Sequence, residues 1–312
     1  MNPITGLLTA LGVLTAVYLG GWTKAIRAAR ASRVGADSHA TDARFPDVIQ
    51  LAVGAITNFF DTLGIGSFAT TTATFRLRKM VPDRLIPGTL NVGHTIPTIA
   101  QAFIYTSVIP VDVLTLFAMI AAAILGAWLG AGIVCGWPKQ KVQFGMGAAL
   151  LVAATLMLIT QVQVVTGSRI MPLGGEALGV RGMMLVVAVV GNFLLGALMT
   201  LGIGLYAPCM ILVSLLGMNP TAAFPIMMGS CAFLMPVGSL RFIREGGYSL
   251  RNALGLAIGG LPGVLVAAYI VKQLDLNMVR WLVIVVVLYT AITMLMSASS
   301  ERASSTTEPA KA

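Results

Sequence analysis

The chain has 312 residues, of which 57% are hydrophobic and only 10% are charged. A soluble domain carries about 25% charged residues, so an ordinary globular protein is excluded. The formal net charge of +9 sits largely in short loops between apolar runs. There the positive-inside rule explains it, and nucleic acid is not needed as a partner.

Charge-free runs long enough to cross a bilayer cover 2–23, 85–111 and 142–167. The first, read as a helix over 3–22, has no basic segment before it and no small-residue cleavage site, so it is taken as retained rather than as a leader. A polar segment follows, with Lys24, Arg27, Arg30 and Arg33 spaced by three. That spacing fits an amphipathic helix on anionic lipid, or equally a solvated cytoplasmic loop.

Residues 46–75 are apolar but interrupted by Asp61 and by Gly64 and Gly66. A basic loop ends at Arg84, and three plain spans follow over 85–108, 113–136 and 142–160. The more polar segment 161–181 reads as a linker. Cys135, Cys209 and Cys231 lie in or at the end of apolar stretches, without metal or disulfide spacing, and read as packing residues.

The second half repeats the first. Thr-Leu-Gly-Ile-Gly occurs at 62–66 and again at 200–204, an offset of 138 that also carries Pro82 onto Pro220 and Pro87 onto Pro225. An offset of 137 carries Gly126 onto Gly263 and Val142 onto Val279. The predicted organisation is an N-terminal helix and basic loop over 1–45, one repeat over 46–160, the linker over 161–181, a second repeat over 182–297 and a polar tail over 298–312. Internal repeats are the usual build of secondary transporters.

Loop charge sets the predicted topology. If 46–75 and its twin 182–216 each enter the membrane, turn at Gly-Ile-Gly and leave on the same side, then of 20 Lys and Arg only Arg169, Arg181, Lys272 and Arg280 fall outside. The expected fold is an all-α integral membrane protein. It has about seven spans plus two re-entrant broken-helix hairpins, in two repeats of inverted topology. The N-terminus lies outside and the C-terminus inside a bacterial cytoplasmic membrane. Half-helices of about 13 residues would reach roughly 20 Å, close to the midplane.

A helix break at that depth is tolerated where it is buried in protein or lines a wet cavity. The half-helix after it offers free N–H groups and a positive dipole end, which suits an anion. The candidate substrate-binding residues are Asn58, Thr62, Gly64, Gly66, Ser67 and Asn91 in the first repeat, with Thr200, Gly202, Gly204 and Ser230 in the second. Small residues that merely allow close helix packing are the competing explanation.

Asp61 is the only carboxylate deep in an apolar run, and Met199 stands at its place in the second repeat. It is a candidate proton carrier, or else an aspartate capping the half-helix that follows. His94, the only histidine in an apolar run, is a second candidate for proton coupling, or a hydrogen-bonded packing residue. No metal cluster, Ser-His-Asp set or phosphate-binding loop is present, so neither an enzyme nor a cofactor is expected.

The repeated blocks 54–102 and 191–241, each a Gly-rich turn, a short apolar helix and a proline-marked loop, resemble the TauE/SafE permeases. The second block also keeps Pro208 soon after its glycines. The resemblance extends over 46–297 and implies secondary transport of a sulfur-containing anion: sulfite, sulfoacetate or an organosulfonate such as toluenesulfonate. A passive anion channel of the same fold is the alternative. The expected partners are the small anion and membrane lipid.

Overall fold

The computed structural model describes residues 2–31, 42, 44–134, 139–166, 175–199 and 204–306. Its elements in chain order are α1 (Pro3–Ala31), α2 (Val48–Thr62), α3 (Ser67–Leu77), α4 (Ile86–Val108), α5 (Val113–Val134), α6 (Lys139–Thr166), α7 (Gly182–Met199), α8 (Tyr206–Leu215), α9 (Ala223–Glu245), α10 (Leu250–Gln273) and α11 (Leu276–Thr306). Among the described residues the only extended pairing is an isolated bridge between Ala177 and Met218. The all-α class follows.

Among the described residues five helical segments are long and apolar enough to cross a membrane: Pro3–Ala28, Gly182–Met199, Pro220–Glu245, Leu250–Gln273 and Asn277–Ser299. This is a multi-pass membrane protein. The charge-free run at α4 is not among the five, because it carries Thr89, Asn91, His94, Thr95, Thr98 and Gln101 along its length. Most of these side chains are buried inside the protein.

Several boundaries differ from the sequence expectations. α1 continues past Trp22 to Ala31, carrying the first basic residues on a helix; Arg33 lies outside the described residues. α6 runs on to Thr166, into the segment read as a linker, and α11 runs to Thr306, into the polar tail. Helices overrun because a helical turn costs little once its core is docked, and polar residues at the ends find water. Of the cysteines, Cys209 and Cys231 are buried on α8 and α9, while Cys135 lies outside the described residues.

Helix boundaries recur with the sequence offset. α3 ends at Leu77 and α8 at Leu215; α5 begins at Val113 and α10 at Leu250; α6 begins at Lys139 and α11 at Leu276. The endings of α3 and α8 also match in conformation. Met80 N–H bonds Phe75 O and Met218 N–H bonds Val213 O, with positive φ at Lys79 and Gly217. Both are Schellman closures.

The chain forms two compact units, each drawing on both halves of the sequence: 1–113 with 224–273, and 114–223 with 274–312. In the first, α2 lies along α10 and α4 packs against both. Small residues make the α2–α10 contact possible: Gly54 faces Gly255 and Leu256, Gly259 meets the Leu51 carbonyl, and Gly263 meets the Ala55 carbonyl. A glycine face of this kind lets backbones approach where lipid supplies no hydrophobic drive. Asp47 and Gln50 form a reciprocal capping box at the start of α2. Gln50 Nε2 also donates to Asn252 Oδ1 on α10 at 3.2 Å, and Ser249 N–H donates to Thr89 Oγ1 on α4 at 2.9 Å. α1 is tied to α4 by the Tyr18 hydroxyl, which donates to Val92 O at 2.8 Å.

In the second unit, α6 lies along α11, and α8 packs on both and on α7. α7 crosses α5 at small residues: Gly196 meets the Ala123 carbonyl and Gly126 that of Phe193. Asn192 Nδ2 donates to Met119 O at 2.7 Å across the same contact. In each unit a helix that precedes a Gly-Ile-Gly sequence is therefore packed on a helix of the other sequence repeat.

Candidate functional site

The break between α2 and α3 is set by its glycines. Leu63 still has helical dihedrals, and Gly64 then turns to φ 98°. Gly64 N–H bonds Asp61 O at 2.8 Å and Ile65 N–H bonds Phe60 O at 3.1 Å, a Schellman closure of α2. Gly66 has φ 86° and ψ 131° and opens α3. Both conformations favour glycine. A Cβ added at Gly66 would meet no atom of the described residues within 4 Å.

Asp61 closes the break from the other side. Its Oδ1 accepts the Ser67 N–H at 2.6 Å, the first residue of α3, and its Oδ2 accepts from Gln101 Nε2 at 2.9 Å. The carboxyl group thus joins the end of α2, the start of α3 and the middle of α4, while being only 3% exposed. Thr62, one residue on, donates its hydroxyl to Asn58 O at 2.7 Å and accepts from the same Gln101 nitrogen at 2.9 Å. The Tyr105 hydroxyl lies 3.4 Å from Thr62 O, and its ring stacks on Phe224 at 5.1 Å.

His94 is fully buried between α2 and α3. Its Nδ1 is 3.0 Å from Asn58 Oδ1 and its Nε2 is 3.0 Å from Thr71 Oγ1. Asn58 Nδ2 donates to Gly54 O at 2.8 Å, which fixes the amide so that Oδ1 can only accept. His94 must then carry its proton on Nδ1, and Nε2 accepts from the Thr71 hydroxyl. The Phe68 ring lies 6.0 Å from the imidazole.

The structure therefore brings Asn58, Asp61, Thr62, Gly64, Gly66, Ser67 and His94 into one connected set. Asn58 and Thr62 are fully buried, and their side chains bond within the protein. Asn91 and Ser230 instead bond carbonyls one turn back on their own helices, Pro87 and Ile226. Gly204, just before α8, is exposed, and no atom of the described residues lies within 4 Å of its Cβ position. Thr200 and Gly202 lie outside the described residues. Among the described residues no group of His, Cys, Asp and Glu could hold a metal ion.

Sequence reasoning picked out Thr71 as a hydroxyl near the first break but missed Gln101 and Tyr105. A signal was present on α4, where His94, Thr98, Gln101 and Tyr105 recur at helical spacing along one face of a charge-free run. A polar stripe of that kind marks the side turned to protein rather than to lipid.

Residues 183–312 match the family model for sulfite exporter TauE/SafE. The TauE/SafE match covers α7 through the end of the chain and includes the second Gly-Ile-Gly sequence. No curated protein and no solved structure matches the chain.

Proposed function

We propose that the protein is a secondary active transporter of a sulfur-containing anion, an organosulfonate such as toluenesulfonate or else sulfite or sulfoacetate, working by proton-coupled alternating access. It has seven full spans in a bacterial cytoplasmic membrane, with the N-terminus outside and the C-terminus inside. The α2–α3 and α7–α8 pairs are re-entrant hairpins of two inverted repeats. The anion is bound at the first glycine break, by Gly64, Gly66 and Ser67; Thr200, Gly202 and Gly204 are the candidate binding residues of the second repeat. Asn58, Thr62, Asn91 and Ser230 shape the surroundings.

The observation that carries this reading is the Asp61 carboxyl group on the first N–H of α3. A helix start is an anion site, and here the protein supplies its own anion. Protonating Asp61 removes that negative charge and leaves the positive helix end for a substrate anion, so proton and substrate load together. Met199 stands at the matching position of the second repeat. The TauE/SafE match over 183–312 supports the substrate class.

Binding of sulfite, sulfate, acetate, ethanesulfonate and toluenesulfonate to the purified protein, read by thermal shift, tests the reading. A ligand at about 100 times its Kd stabilises the folded state by roughly 2.7 kcal/mol. Stabilisation by sulfonates that is greatest at low pH and lost in Gly66→Ala and Thr200→Val is the expected result. Stabilisation by acetate alone, or by no anion, would overturn the substrate assignment.

A further inference from the structure

Asn252 is buried at the third position of α10 and belongs to no motif read in the sequence. It touches both ends of the α2–α3 pair. Its Oδ1 accepts from Gln50 Nε2, in the first turn of α2, at 3.2 Å. Its Nδ2 donates to Met80 O, three residues past the end of α3, at 3.4 Å, and to Ser249 Oγ at 2.9 Å. One residue earlier on α10, Arg251 Nε donates to Phe45 O at 3.3 Å and Nη2 lies 3.5 Å from Asp47 Oδ2.

Backbone groups fix the direction of both amides. The Asp47 N–H can only donate, and it bonds Gln50 Oε1 at 3.0 Å. The Gln50 NH2 group therefore faces Asn252. The Met80 carbonyl can only accept, so the Asn252 NH2 group faces Met80. Donors thus run one way, from the backbone at the start of α2, through two side chains, to the backbone after α3. Met80 N–H is meanwhile spent on Phe75 O, the closure of α3.

The second unit repeats the device with other residues. The offset of 137 carries Thr115 onto Asn252, and Thr115 is the third residue of α5. Its hydroxyl accepts the Val180 N–H at 3.1 Å and donates to Val180 O at 3.3 Å, two residues before α7. The offset of 138 carries Met80 onto Met218. There the chain before α7 meets the chain after α8 directly: Asn219 N–H donates to Ala177 O at 2.8 Å, beside the Ala177–Met218 bridge.

We propose that Asn252 is the positioning residue that gathers both ends of the first hairpin at one membrane face, and that Thr115 holds the entry of the second. Each acts from a helix of the other repeat. The inference rests on the proposed re-entrant course of α2 and α3. The first glycine break then hangs from a base fixed by α10.

The test needs no substrate. Spin labels are placed on Phe45→Cys and Leu77→Cys, both exposed positions, in full-length protein with Cys135, Cys209 and Cys231 replaced by alanine, and their separation is read by pulsed EPR. Laid end to end, the 15 residues of α2 and 11 of α3 would part these positions by roughly 40 Å. The expected result is one narrow distance well below that figure, and a longer, broader distribution in Asn252→Leu, which keeps the shape of asparagine. Exchange of the Met80 amide should quicken about fivefold in the same variant, with the Asn219 amide unchanged. Gln50→Met, which cuts the link from the α2 side, should also broaden the distance and gives a second reading should Asn252→Leu prove unstable. Thr115→Val is the control and should leave this distance as in the wild type. A lower melting point with an unchanged distance in both variants overturns the positioning role of Asn252 and leaves the re-entrant course standing. A wild-type distance near the end-to-end figure overturns both.

Discussion

Gly54→Ala tests whether the contact between α2 and α10 is backbone on backbone. A Cβ at position 54 would lie 2.5 Å from Gly255 O, 2.9 Å from Leu256 Cα and 3.0 Å from Leu256 O. Ordinary contact begins near 3.4 Å, so the two helices have to part by roughly 0.9 Å. None of the three atoms belongs to a side chain that could swing aside. Overpacking of this kind costs about 1–3 kcal/mol, and alanine returns up to about 1 kcal/mol in helix propensity. The net expectation is a loss of roughly 1–2 kcal/mol, read as a fall of a few degrees in the melting midpoint of the detergent-solubilised protein. Gly20→Ala is the matched control, because nothing lies within 4 Å of its Cβ position; it should melt at or above the wild type. If Gly54→Ala is as stable as Gly20→Ala, the close approach of these helices is wrong.

Two further outcomes follow from the break and its histidine. His94 should be protonated on Nδ1, which 15N NMR of labelled histidine distinguishes, with His39→Ala removing the other signal. Asn58→Leu, which takes away the acceptor, should cost about 1–3 kcal/mol in melting experiments and perturb that signal. Gly66→Ala should destabilise by about 1–2 kcal/mol through backbone strain alone, since its φ is 86° and its surroundings are open. Gly204→Ala, equally open but without a left-handed φ, should melt closer to the wild type.

What could be read in the sequence was local. Two glycines one residue apart in an apolar run announce a helix break, and both take positive φ at Gly64 and Gly66. A carboxylate just before them was legible as a cap for the half-helix that follows, and Asp61 does receive the Ser67 N–H. Proline spacing carried the repeat, and helix boundaries recur at the same offset. What stayed hidden was tertiary. Nothing near Asp61 in the chain points to Gln101, and nothing near Gly54 points to Gly255. A trace of the second pairing existed in the four-residue spacing of Gly255, Gly259 and Gly263, the small-residue pattern of membrane helix contacts. It marks a face, and leaves open which helix will cover it.

The pairing of α2 with α10 has a consequence for biogenesis. A ribosome adding about 5–20 residues per second makes Gly255 roughly 10–40 s after Gly54. Through that interval the glycine face of α2 exists without the helix that covers it. Insertases and quality-control proteases meet the nascent chain in this state, before α10 has arrived. Lesions in α10 should then act early, by prolonging the exposure of the glycine face of α2, and lower the amount of protein in the membrane more than the rate at which each surviving copy works.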